Sequence, residues 1–237
     1  MSKRINLNSS WQFTKKACKF EDLKKQKFDK VNIPHTWNAK DGQDGGDDYH
    51  RGLCWYKKIF DFTPQKDKEV YIEFEAVNSV ADVYLNGKHL GQHRGGYSAF
   101  RFDITDAVKD GQNTLVVGAD NSHIEDVYPM FADFTFYGGI YRDVNLIITD
   151  SVHFELMDYA SCGVYVSQKK VTDKKAELEV RALISNLEKK EDITLKINLK
   201  DENGNSVLSK GQKVNGKEKS EIVESLTVID PVLWYGT

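Results

Sequence analysis

The sequence is poor in cysteine, and its three thiols lie far apart. Cys18, Cys54 and Cys162 are odd in number, and no two of them form a CxxC pair. This spacing fits neither a disulfide framework nor a zinc knuckle. A reducing compartment suits such cysteines best, so we expect a cytoplasmic location.

Long apolar runs and an excess of positive charge are also missing. The first residues are basic but turn polar at once, without the apolar stretch of a secretory signal. No segment approaches the length of a membrane-spanning helix. The 33 basic and 36 acidic residues leave a formal net charge of -3, with no surplus cations to neutralise a phosphate backbone. We therefore expect neither a membrane nor a nucleic acid as partner.

Motifs of metal and nucleophile chemistry are absent as well. The six histidines show no HExxH or similar spacing, and no GxSxG or Cys/His signature occurs. The sequence therefore gives no case for a metal and predicts no cofactor.

What the sequence does contain is short alternating runs of apolar and polar residues, broken by turn residues. This pattern is typical of antiparallel sheets with one buried face. Residues 70–77 predict a half-buried strand with Ile72 and Phe74 inward and Tyr71 and Glu73 outward. Residues 80–91 predict a two-residue hairpin at Asn86-Gly87, because both residue types tolerate positive φ.

The composition changes near residue 150, after which Lys and Glu are more frequent and aromatics fewer. Alternation continues there through Val180, Ala182 and Ile184, and a further strand precedes a turn at Asn203-Gly204. The spacing of about ten residues between turns is typical of an immunoglobulin-like sandwich. The sequence thus predicts an all-β chain of two domains, residues 1–150 and 151–237.

Several segments together resemble the N-terminal part of glycoside hydrolase family 2, which contains β-galactosidases, β-glucuronidases and β-mannosidases. These segments are SSWQF, VNIPHTWNAKDGQDGGDDYHRGLCWYKK, VNSVADVYLNGKHLGQHRGGYSAFRFDIT and DFTFYGGIYRDVNL. Their order and spacing resemble the family's sugar-binding jelly roll throughout residues 1–150. Residues 151–237 resemble, less specifically, its immunoglobulin-like domain.

The resemblance also implies where the chemistry lies. In the family, a proline followed by LW, as in PVLWYGT at the end of this sequence, precedes a catalytic (β/α)8 barrel. A barrel takes about 250 residues, so we expect it to be absent from this chain. The family places both catalytic glutamates there, and retaining hydrolysis needs two carboxyls. We therefore expect no catalytic residue here and no activity of the chain alone.

Substrate contacts are nevertheless implied by the resemblance, first of all at Asp133. The aspartate at this distance before the Gly-Ile pair contacts the sugar in related enzymes, although a turn or capping aspartate is the alternative. Phe134 and Tyr137 are predicted to stack on a sugar face or to line the seam with the barrel, or else to fill the sandwich core. Asn38 is expected to face the same opening. Gly138-Gly139 indicates a tight turn of the backbone.

The acidic loop DGQDGGDDYHRG leaves three interpretations open. It carries Asp41, Asp44, Asp47 and Asp48. The family resemblance favours an extended loop that faces the active site, a plain solvated loop comes next, and a calcium site comes last because EF-hand spacing and the closing glutamate are missing.

Together these features predict the non-catalytic N-terminal fragment of a retaining β-glycosidase, most like the β-galactosidases in its PHTWNAKDGQDGG loop. Its expected partners are a β-glycoside substrate and the C-terminal catalytic barrel of the same polypeptide, with a homo-oligomer of the full enzyme left open. The alternative is an independent carbohydrate-binding module or lectin, because jelly rolls commonly bind sugars without chemistry.

Overall fold

The computed structural model describes residues 2–41, 48–129, 134–215 and 217–233, and their regular secondary structure is almost entirely β-strand. The all-β prediction is therefore confirmed. The strands of the first 150 residues are β1 (Lys3–Asn6), β2 (Trp11–Thr14), β3 (Asp29–Val31), β4 (Leu53–Phe62), β5 (Lys68–Phe74), β6 (Val80–Leu85), β7 (Lys88–Arg94), β8 (Phe100–Asp103), β9 (Gly111–Asp120) and β10 (Val144–Asp150). A short 3₁₀ helix, Phe20–Lys25, lies between β2 and β3.

The remaining strands are β11 (Val152–Phe154), β12 (Val164–Val171), β13 (Lys175–Asn186), β14 (Ile193–Lys200), β15 (Ser206–Val214) and β16 (Lys219–Ile229). The chain divides into two compact units, residues 1–150 and residues 151–237. In the described ranges, every helix is too short and too polar to cross a membrane.

The first unit is a sandwich of two antiparallel sheets. Its six-stranded sheet has the order β3-β2-β4-β9-β6-β7, and its four-stranded sheet has the order β1-β10-β5-β8. Trp11 and Tyr56 of one sheet and Ile72, Phe74 and Leu146 of the other are almost fully buried in a common core. Burying a side chain such as Ile72 contributes about 1.5–3 kcal/mol, so this core is the main source of stability.

The predicted hairpin is confirmed. β6 and β7 pair antiparallel and are joined by Asn86 and Gly87, whose φ angles are 53° and 87°. Positive φ at both central residues matches the twist of the strands that the turn connects. The Asn86 side chain also donates to the carbonyl oxygen of Ala107 at 3.0 Å, which ties the turn to the chain ahead of β9.

The prediction that β5 is a half-buried strand is wrong, because side chains on both of its faces are buried. Tyr71 and Glu73, predicted to point to solvent, are buried, and Glu73 is only 2% exposed. The Glu73 carboxylate pairs at 2.7 Å with the guanidinium of Arg101 on the adjacent strand β8. A charge can be buried when it is paired and hydrogen-bonded, and alternation alone does not reveal such a partner.

The second unit is a smaller sandwich. In one sheet β13 pairs with β11, β12 and β16, and β14 and β15 form a separate hairpin. Ala182, Ile184 and Ile222 of the first sheet pack against Leu195 and Val214 of the hairpin. The inward alternation predicted for β13 is thus confirmed. Gly204, with a φ of 84°, lies in the turn between β14 and β15.

Candidate functional site

Of the predicted contact residues, Asn38, Phe134 and Tyr137 are described, and they lie on two segments of the first unit that meet at the hydrogen bond between Asn38 and Gly138. Asp133 itself lies outside the described residues, as do Asp44 and Asp47 of the acidic loop. Residues 134–139, which follow Asp133 directly, are described, and we call them the aromatic loop.

Two rings of the aromatic loop face solvent. Phe134 is 56% exposed and Tyr137 is 37% exposed, and the ring of Phe134 lies 5.3 Å from that of Phe136. Side chains this exposed do not fill the sandwich core, so this alternative is excluded for both. Aromatic rings that remain accessible on an ordered loop offer flat apolar faces for stacking.

Asn38 lies behind this loop and is completely buried. Its Oδ1 atom accepts a hydrogen bond from the backbone N–H of Gly138 at 2.8 Å. Its Nδ2 atom donates to the carbonyl oxygen of His50 at 2.9 Å and to Asp41 at 3.2 Å. Since protein groups occupy the whole side-chain amide, the structure gives Asn38 a supporting role in place of the predicted contact with substrate.

Two further asparagines hold the aromatic loop, and the sequence reasoning missed both. The Nδ2 atom of Asn121, the residue after β9, donates to the carbonyl oxygen of Phe136 at 2.8 Å. The Nδ2 atom of Asn78, two residues before β6, donates to the carbonyl oxygen of Tyr137 at 2.7 Å. Their position beside strand ends is the one local signal, because buried loop backbone near a sheet edge needs side-chain partners.

The two glycines of the aromatic loop are required by their neighbours. A Cβ atom on Gly138 would lie 2.0 Å from the Trp37 ring. On Gly139, whose φ is 132°, it would lie 2.3 Å from the carbonyl oxygen of His35. Gly139 also forms an isolated antiparallel bridge with Asn78. Both glycines are thus required by a close approach, Gly138 to the Trp37 ring and Gly139 to the backbone of His35.

The last residues of the acidic loop support the aromatic loop from another side. The backbone N–H of Phe136 donates to the Tyr49 hydroxyl at 3.1 Å. The guanidinium of Arg51 lies 4.7 Å from the centre of the Phe136 ring, and its Nε atom donates to the carbonyl oxygen of Asn121 at 2.8 Å. This arrangement combines a cation–π contact with a charge-assisted hydrogen bond.

Asp41 closes the base of the acidic loop. Its carboxylate accepts hydrogen bonds from the backbone N–H of His50 at 3.2 Å and from the Asn38 amide at 3.2 Å. Burial alone would raise the pKa of Asp41, but these hydrogen bonds and the charge of Lys15 outweigh it and hold the pKa below its usual value. Asp41 thus has a structural partner at each carboxylate oxygen.

The described part of the chain contains no group of three or more His, Cys, Asp or Glu side chains able to hold a metal ion. Because Asp44 and Asp47 lie outside that part, the calcium alternative for the acidic loop stays a prediction.

One buried thiol lies close to this end of the sandwich. The Cys54 sulfur is 3.4 Å from the Nε2 atom of His50, an arrangement that in isolation suggests a Cys/His nucleophile. Burial, however, raises the pKa of Cys54 to about 12. Only the thiolate is nucleophilic, so this pair is structural at neutral pH.

Comparison with known proteins agrees with the fold. Residues 3–150 match the family model described as glycosyl hydrolases family 2, sugar binding domain. A β-glucuronidase of Bacteroides fragilis is 40% identical over 98% of this chain and 33% of its own length. A β-galactosidase of Thermoanaerobacter pseudethanolicus is 32% identical over 98% of this chain and 31% of its own length.

Solved structures of a β-galactosidase and a β-glucuronidase also superpose on this chain. A putative β-galactosidase from Bacteroides fragilis superposes with a TM-score of 0.88 and 33% identity, over 99% of this chain and 37% of that protein. A Bacteroides uniformis β-glucuronidase superposes with a TM-score of 0.84 and 32% identity, over 99% of this chain and 29% of that protein. The chain therefore spans about a third of the length of these relatives. On this evidence it belongs to glycoside hydrolase family 2, and residues 3–150 match that family's sugar-binding domain.

Proposed function

We propose that the chain is the non-catalytic N-terminal part of a retaining β-glycosidase, which buttresses a catalytic barrel and contributes contacts to the substrate. The observation that supports this most directly is the aromatic loop, with Phe134 and Tyr137 exposed on a backbone that buried side chains hold in place. The catalytic carboxyls belong, in this proposal, to the two thirds of the relatives that the chain does not span.

In the proposed complex, Asp133 orients the sugar through hydrogen bonds, and the rings of Phe134 and Tyr137 provide contact area. A carboxylate accepts hydrogen bonds from two adjacent hydroxyls of a sugar. The rings of Phe134 and Tyr137 stack on its apolar face. Fixing the sugar in this way orients it for a reaction whose acid and nucleophile lie elsewhere.

For the substrate we propose a β-galactoside, with a β-glucuronide as the competing possibility. The PHTWNAKDGQDGG loop favours the galactoside. The relatives bear both names, and the 40% identical one is a β-glucuronidase. The two sugars differ at C6, where the glucuronide carries a carboxylate, so parallel titrations distinguish them.

The test combines turnover with binding. We expect the purified chain to hydrolyse neither an aryl β-galactoside nor an aryl β-glucuronide, because one carboxylate cannot replace a pair. Reproducible turnover above a matched blank contradicts the proposal. Titration calorimetry with galactose, glucuronic acid and mannose should show only millimolar binding or none.

An independent carbohydrate-binding module is the second candidate. It is favoured by the compactness of residues 1–150 as a unit and by the exposure of Phe134. Tight, saturable binding of one of these sugars by the chain alone supports this candidate over the enzyme part. A cytoplasmic location stays a proposal that rests on three free cysteines, and cell fractionation tests it.

A further inference from the structure

Three buried asparagines form hydrogen bonds with the backbone of three successive residues of the aromatic loop. Asn121 binds the carbonyl oxygen of Phe136, Asn78 binds the carbonyl oxygen of Tyr137, and Asn38 binds the N–H of Gly138. The three side chains come from separate segments of the chain and are at most 6% exposed. Buried peptide groups that lose water need such partners, and each unmade hydrogen bond is costly.

Asn121 has more connections than the other two. Its Nδ2 atom also donates to the Oδ1 atom of Asn38 at 3.3 Å, and its Oδ1 atom accepts from the backbone N–H of Gly52 at 2.8 Å. Its carbonyl oxygen accepts from Arg51. Asn121 therefore joins the end of β9, the last residues of the acidic loop and the aromatic loop.

We propose that Asn121 is a positioning residue for sugar binding, which sets the aromatic loop through Phe136 and Asn38 without touching the sugar. The proposal rests on the proposed function of the aromatic loop. Asn121 is 1% exposed and lies behind the loop backbone, so its effect on a sugar is transmitted through the placement of Phe134 and Tyr137.

The chain offers a matched control at the opposite end of the same strand. Asn113 is also fully buried, donates to the carbonyl oxygens of Lys109 and Gly111, and accepts from the N–H of Lys109. Asn121→Asp and Asn113→Asp each replace a buried amide by a nearly isosteric carboxyl. Both substitutions should lower the free energy of unfolding, but only Asn121→Asp should disturb the aromatic loop.

Amide hydrogen exchange of Gly138 is the direct readout. In Asn121→Asp, a carboxylate oxygen faces the carbonyl oxygen of Phe136, and we expect the Gly138 amide to exchange about tenfold faster, the order that one lost hydrogen bond gives. The Asn113→Asp variant should retain the wild-type Gly138 protection factor. At a pH low enough to protonate residue 121 of the variant, the carboxylic acid can donate again, and protection should recover.

Titration with galactose and glucuronate provides the second readout. Weaker affinity in Asn121→Asp, together with faster Gly138 exchange, supports the proposal. Unchanged Gly138 exchange, or equal exchange in both variants, overturns it. If the wild-type chain binds neither sugar, the hypothesis that the chain alone binds a sugar is wrong. The Gly138 exchange rates still decide whether Asn121 positions the aromatic loop. Should Asn121→Asp not fold, Asn121→Ser, which withdraws the amide donor from Phe136 without adding a charge, is read in the same way.

Discussion

The indole ring of Trp37 occupies the space that any side chain on Gly138 would need. A Cβ atom there would lie 2.0 Å from the Cζ2 atom of the ring, and Trp37 is itself fixed by a 3.2 Å hydrogen bond to the carbonyl oxygen of His50. We expect Gly138→Ala to lower the free energy of unfolding by about 1–3 kcal/mol, because a well-packed core must shift to admit the methyl group.

Urea denaturation followed by tryptophan emission measures this change. Gly211→Ala is the control, since the nearest heavy atom to its Cβ is 3.7 Å away. A Gly138→Ala variant as stable as the control, with an unchanged emission spectrum, contradicts the close packing described here.

The exposed rings of the aromatic loop should matter for binding and little for stability. Phe134→Ala and Tyr137→Ala should each weaken affinity for the sugar about threefold to tenfold, the range expected for a stacking contact. Stability should stay within about 0.5 kcal/mol, as for surface residues in general. Calorimetry on Tyr159→Ala, which alters a ring that is 94% exposed on the second unit, provides the control. Equal losses in all three variants would argue against a site at the aromatic loop.

Cys54 and Cys162 should differ in reactivity. Burial raises the pKa of Cys54 to about 12, whereas Cys162 is exposed. Treatment with iodoacetamide at about pH 8 should label Cys162 quickly and Cys54 only after unfolding, because alkylation requires the thiolate. Peptide mass spectrometry with and without urea distinguishes the two sites. Rapid labelling of Cys54 in the folded chain is the contrary result.

Stability should fall as the pH is lowered below about 6.5. Burial, with the charge of Lys15 as a smaller cause, holds the pKa of His35 below its ordinary value of 6.5. Between the two pKa values the unfolded chain binds more protons than the folded chain, so protonation favours unfolding. The contribution is fully present above pH 6.5 and is lost as the pH falls toward the folded pKa.

Denaturation curves at about pH 7 and about pH 5.5 test this. His35→Gln should reduce the difference between them without abolishing it, because burial also lowers the pKa of His93. An identical pH dependence in the variant and the wild type is the outcome that contradicts this role for His35.

The sheets were predictable because their signals are local. Alternation over six to twelve residues identifies β6, β10 and β13, and Asn86-Gly87 marks its own turn. The burial of the second face of β5 was not predictable from alternation. Arg101, whose charge pairs with the buried Glu73, lies 28 positions further along the chain.

The asparagines that hold the aromatic loop were not predictable for the same reason, because their partners are distant in the sequence. The contacts of Asn78 with Tyr137 and of Asn38 with Gly138 span 59 and 100 positions of sequence. A single asparagine at each place leaves no periodic trace, so neither propensity nor spacing predicts which backbone group it will meet. The resemblance to the family indicated the aromatic loop, but only the structure revealed what holds it.

The choice of amides as anchors has a consequence for how a protein built on this sandwich can adapt. Asn38, Asn78 and Asn121 carry no charge and do not titrate, so their contacts with residues 136–138 do not depend on protonation and are scarcely screened by salt. A polypeptide built on this sandwich can therefore acquire a new working pH through its ionisable groups alone. The frame that presents the exposed rings of Phe134 and Tyr137 stays the same while the groups around it change.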